Sequence, residues 1–98
     1  MPLETHPYVP GEFLNSAEAV EEYLRLAFED GAPAEIAASL GAVARSRGMS
    51  ELARDTGISR QALYKALSAD GNPGFATILA VAQALGFRLV PQRIPDPV

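Results

Sequence analysis

Met49-Ser-Glu-Leu-Ala-Arg-Asp-Thr-Gly-Ile-Ser-Arg-Gln-Ala-Leu-Tyr-Lys-Ala-Leu67 reads as two short helices joined by a tight turn. Leu52 and Ala53 lie on one face of the first helix, with Ala53 small where the second must pass close. Gly57 then stands where the chain has to turn through positive φ, which only glycine does without a Cβ penalty. Ile58 is the apolar plug of that turn. Ser59 is placed to N-cap the second helix by accepting from an amide two or three residues on. Leu63, Ala66 and Leu67 recur at helical spacing and pin that helix inward. Ser59, Arg60, Gln61, Tyr64 and Lys65 are left outside. Arg and Gln at the start of such a helix carry the forked donors and acceptors that match guanine or adenine edges in the major groove. The stretch therefore predicts a DNA-reading helix-turn-helix over residues 49–67. The same hydrophobic pattern also suits a merely structural helical hairpin.

Composition bounds the rest. Ninety-eight residues suit one domain, enough to bury roughly two-thirds of the unfolded surface. There is no cysteine and one histidine, His6, with no nucleophile or ligand cluster near it in sequence. That predicts no enzyme, no metal site and no cofactor. With no signal peptide and no apolar run of membrane length, a cytoplasmic protein away from the membrane is expected. The net charge of -4 is unfavourable for binding a polyanion, because phosphate affinity comes from Lys and Arg displacing counterions. The charge is unevenly divided. Residues 1–44 hold eight carboxylates against Arg25 alone, a net -7, whereas residues 45–98 hold seven basic and four acidic residues, a net +3. The basic half contains the helix-turn-helix, so the split predicts two surfaces for two partners. A plainer reading is that the acidic residues keep an exposed helix in solution.

Residues 1–14, with Pro2, Pro7, Pro10 and Gly11 and no helical period, read as a flexible arm whose Tyr8, Phe13 and Leu14 are candidate partner contacts. Residues 15–90 read as the helix-turn-helix domain. Asn15 and Glu18 form a capping-box-like start to a helix striped with Val20, Tyr23, Leu24, Ala27 and Phe28 and stopped at Gly31. Pro33 opens a second helix through Ile36, Ala37, Leu40, Val43 and Ala44 to Gly48. Gly41 inside it costs roughly 1 kcal/mol relative to Ala and marks a close helix crossing. Arg45 and Arg47, in its last turn, either complement the helix dipole or reach a phosphate. After the loop at Asn72-Pro73, the stripe Phe75, Ile78, Leu79, Ala82 and Leu85 predicts a closing helix that ends at Gly86. Phe87, Leu89 and Val90 alternate with Arg88 as a short strand that must pair with something; Phe87 and Leu89 are candidate partner contacts, or cover the core as extended coil. Residues 91–98 read as a tail.

From about Leu14 to Leu89 the chain resembles the antidote proteins of bacterial addiction modules. These are HigA-like antitoxins with a lambda-repressor-like, XRE/Cro-type domain, encoded beside a RelE/ParE-superfamily or HigB-like toxin. The resemblance is carried by the run Arg47–Ser68, by Asp-Gly-Asn-Pro-Gly-Phe-Ala-Thr-Ile-Leu over Asp70–Leu79, and by the Glu-Asp-Gly-Ala-Pro junction ending at Pro33. It implies an all-α fold of about five helices with a short C-terminal strand. It also implies double-stranded operator DNA and a toxin as partners, a homodimer, and repression of the protein's own operon. Gly74 departs from the family, which usually places a Ser or Thr helix cap there. A free-standing Cro-like repressor without a toxin shares the same motif. So does an interaction module that has lost DNA binding.

Overall fold

A computed structural model describes residues 15–96, and over them the chain forms five α-helices: α1 Ala17–Asp30, α2 Pro33–Arg47, α3 Met49–Thr56, α4 Arg60–Ala66 and α5 Phe75–Ala84. The arm of residues 1–14, with Tyr8, Phe13 and Leu14, lies outside the described residues. Helices α2, α3 and α5 pack on one another, α4 packs on α3, and α1 lies against α2 as an added layer. Their shared core is apolar and built from every helix: Leu24, Leu40, Val43, Leu52, Leu63, Leu67, Val81 and Leu85 are all buried.

Helix starts follow from side-chain chemistry. Ser16 caps α1 by accepting from the Ala19 amide at 3.1 Å. This corrects the expectation at Asn15: helical backbone begins one residue later, so Ser16 is the residue whose hydroxyl reaches the third amide, and Glu18 falls outside the capping-box position. Pro33 opens α2, as its preset φ favours at a position whose amide has no intrahelical partner. Gly74 precedes α5 with no side-chain cap.

Ile78, Ala82 and Leu85 of the α5 stripe fall inward as the sequence reads them, but Phe75 does not. Val81 is fully buried and Ile78, Ala82 and Leu85 lie inward with it, while Phe75 is 70% exposed. An uncharged helix has no polar face to fix its rotation from sequence, so the neighbouring helices decide it.

The C-terminal strand is a further correction: among the described residues there is no strand, and residues 87–96 run as coil. The cause is local. The Phe87 amide donates to the Ala82 carbonyl at 2.8 Å and the Gly86 amide to that of Gln83 at 3.0 Å, with Gly86 at φ 95°. This is a Schellman closure of α5, and it commits Phe87 to capping the helix. The Phe87 ring packs against the core, which agrees with the extended-coil reading.

Helix α1 carries the acidic surface. Arg25, the sole base of residues 1–44, donates to Glu22 at 2.8 Å and lies 3.7 Å from Glu29. Its hydrogen bond holds the Glu22 carboxyl below the usual carboxylate range. At the α1–α2 junction the opposite occurs: a hydrogen bond shared with Asp30 pushes the Glu35 carboxyl up.

Candidate nucleic-acid interface

The α3–α4 unit is built as its sequence predicts. Gly57 closes α3 in the left-handed conformation at φ 76°, its amide donating to the Ala53 carbonyl. Ile58 follows, half-buried against the core. Ser59 adopts extended backbone and its hydroxyl accepts from the Ala62 amide at 3.1 Å. One contributor escaped the sequence reading. Thr56 Oγ1 donates to the Leu52 carbonyl at 2.9 Å and accepts from the Ile58 amide at 3.1 Å, fastening the turn to α3. A Thr one residue before a helix-ending Gly was the available signal, since such hydroxyls bond locally to the backbone.

Within α4 the two faces are sharply different. Leu63 is fully buried and Leu67, its C-cap, is 1% exposed. Arg60, Gln61, Tyr64 and Lys65 are exposed. None of the four makes a side-chain hydrogen bond or ion pair with another described residue. Two guanidinium-or-amide forks, a phenol and an ammonium thus project from consecutive turns of one short helix with their donors free. A groove beside α4 runs past Ala62 and Lys65 to Ser68 and Asn72, neither of which was a candidate contact from sequence.

Arg47 is held elsewhere. Its Nη2 donates to the Leu85 carbonyl at 2.9 Å, in a cleft also lined by Glu51 and Asp55. It joins the end of α2 to the end of α5, where a cation also offsets the partial negative charge of the unpaired carbonyls.

Gly41 explains how α4 is seated. A Cβ at Gly41 would lie 2.4 Å from the Leu67 carbonyl oxygen and 3.2 Å from Leu67 Cβ. Helix α2 therefore touches the end of α4 backbone to backbone, and the close crossing expected at Gly41 is between these two elements.

These features define a small helical protein that displays a donor-rich helix on a two-helix scaffold. Residues 4–92 match the family of probable addiction module antidote proteins. A protein of Haemophilus influenzae described as an uncharacterized protein is 45% identical over 82 residues, which is 84% of each chain. No solved structure matches the chain. The chain belongs to the probable addiction module antidote family, and that membership implies a toxin partner and a non-enzymatic role. Among the described residues no helix is long and apolar enough to cross a membrane.

Proposed function

We propose that the protein is a DNA-binding antitoxin with a lambda-repressor-like, XRE/Cro-type helix-turn-helix. It neutralises a RelE/ParE-superfamily, HigB-like toxin and represses its own toxin–antitoxin operon. The observation that carries the DNA side is the outward face of α4, where Arg60, Gln61, Tyr64 and Lys65 are exposed while Leu63 and Leu67 anchor the helix. In this reading α4 enters the major groove. Arg60 and Gln61, on its first turn, read base edges, Tyr64 and Lys65 extend the contact, and the amide and hydroxyl of Ser59 meet a phosphate. Arg47, the other cation considered for a phosphate, is engaged by the Leu85 carbonyl and takes no base-reading part.

Gln61→Ala is expected to cost about 1 to 3 kcal/mol on the cognate operator and little on unrelated DNA, so sequence preference relaxes. Lys65→Ala is expected to weaken binding to all sequences alike and to reduce the salt slope by about one. Fluorescence anisotropy on DNA from the protein's own promoter, across a salt series, reads both. A Gln61→Ala variant as tight and as selective as the parent refutes the base-reading role.

The homodimer in this reading is supported by α5. The helix carries no charged residue from Phe75 to Ala84, and only one side of it is turned into the core. Ala76, Leu79, Ala80 and Gln83 recur along its other side, Ala76 and Gln83 exposed and Leu79 and Ala80 half-buried. A helix apolar all round is normally covered on both sides, and a second copy meeting it across a two-fold axis supplies that cover. Phe87 and Leu89, in the coil that follows α5, stand beside this contact. Sedimentation should find a dimer, bound to half-sites about one helical turn apart. A monomer both free and on a full operator refutes it.

The toxin side is assigned to residues 1–44. Their eight carboxylates are offset within the segment by Arg25 alone, a net -7, and Arg25 is already occupied by Glu22 and Glu29. A toxin that grips RNA presents a cationic cleft. An acidic surface steers such a partner, with a reach set by a Debye length of about 8 Å at physiological ionic strength.

A further inference from the structure

Charge gives encounter rate, and a lasting complex needs apolar anchors in a pocket. One such pocket is present outside the DNA-reading face. A groove of about 230 Å³ is lined by Phe28 at the end of α1, Ile36 in α2, Pro73 in the loop after α4, Phe75 and Ile78 in α5, and Leu89. Phe75 stands 70% exposed at its edge. An aromatic ring so placed has no packing role of its own to explain it, and contiguous apolar surface of this kind marks interaction sites.

The rim has a sign. Glu29, Glu35 and Asp70 are each adjacent in sequence to a lining residue, with Asp30 beside Glu29, against Arg88 next to Leu89. Asp30 faces Glu35 closely enough that a shared hydrogen bond, and then charge repulsion, pushes the Glu35 carboxyl up. No cation among the described residues forms an ion pair with either of them. No residue of α4 lines the groove, so it can be filled while α4 faces DNA.

We propose that this groove is where the toxin docks, accepting a bulky apolar side chain flanked by Lys or Arg. The inference rests on the antitoxin reading given above and names the surface on which it operates. The apolar wall supplies grip, the carboxylates at the α1–α2 junction select a cationic segment, and the anchor touches three separate parts of the chain: the α1–α2 junction, the Pro73 loop and α5.

The probe is the product of the reading frame adjoining this gene, co-expressed and purified with the full chain. Three chains are compared: the parent, Phe75→Ser, and the double variant Asp30→Asn/Glu35→Gln. Phe75→Ser is expected to weaken toxin binding by roughly 30-fold or more, the loss typical of an aromatic anchor. The double variant should slow association roughly threefold to tenfold at low salt, with the difference vanishing near about 0.5 M. Helical circular dichroism and operator affinity should match the parent in both, since Phe75 contributes little to the core. Toxin affinity unchanged in Phe75→Ser overturns the docking site while leaving the antitoxin reading intact. Phe75→Ser that abolishes self-association but not toxin binding assigns the groove to a second copy and also overturns it. A parent chain that does not bind the adjoining product removes both readings together.

Discussion

Leu63→Ala is expected to lower the free energy of unfolding by about 2 to 5 kcal/mol, the range for a fully buried leucine whose cavity cannot collapse. Leu63 has no exposed surface and belongs to the cluster that joins α4 to the rest of the domain. A domain of this size has about 5 to 15 kcal/mol in total, so the variant sits near the limit of folding. With a shift of about 4 to 8 °C per kcal/mol, its melting temperature should fall by roughly 10 °C at the least. Loss of DNA affinity should follow even where the fold survives. Helix α4 spans Arg60–Ala66, and a helix this short is marginal without tertiary packing. Leu63 stands on its inner side, between the reading residues Gln61 and Tyr64. Calorimetry together with anisotropy checks both effects. A Leu63→Ala protein that melts with the parent would mean that α4 is not seated on this core.

Gly41→Val is expected to be nearly as severe, about 3 kcal/mol, and Gly41→Ala gives the sign test. On helix propensity alone, alanine inside α2 should stabilise by roughly 1 kcal/mol. Against this, the new Cβ would stand 2.4 Å from the Leu67 carbonyl oxygen, a backbone atom that cannot rotate aside. Overpacking of this kind costs about 1 to 3 kcal/mol, so the clash outweighs the propensity gain and the melting temperature should fall. Because Leu67 is the C-cap of α4, the strain is relieved by tilting the reading helix. Operator affinity should therefore drop more than the stability loss alone explains. A rise in melting temperature for Gly41→Ala would show that α2 and α4 stand further apart than described here.

Much of this was legible along the chain because it rests on near neighbours. Gly31, Gly48 and Gly57 end α1, α2 and α3 where expected, and Ser59 caps α4 through an amide three residues on. These are interactions within one helical turn, so residue type and spacing suffice. The inward face of α4 was equally clear, since its apolar and polar residues separate cleanly by period. Misplaced features are those decided at longer range. Ile78, Ala82 and Leu85 face the core as read, but whether Phe75 joins them depends on where α5 first meets its neighbours, and an uncharged sequence carries no mark of that. The partnership of Arg47 with the Leu85 carbonyl spans 38 residues of chain, and a guanidinium in a last helical turn gives no sign of which distant carbonyl it will reach. Phe87–Val90 alternates like a strand, yet the ladder it would need has no second strand among the described residues, and Phe87 goes to the helix cap instead.

The sequence by itself determined the five helices, the turn between α3 and α4 and the outward set of Arg60, Gln61, Tyr64 and Lys65, because capping, glycine turns and hydrophobic period are local properties of the chain. It also determined the division of charge between the two halves. Only the tertiary structure decided that Gly41 lies against the end of α4, that Phe75 stands out of the core, and that Phe28, Ile36, Pro73 and Leu89 close around one groove. Those residues are brought together by close packing of distant segments, and packing is settled by shape complementarity across the whole domain rather than by any pattern readable in one stretch.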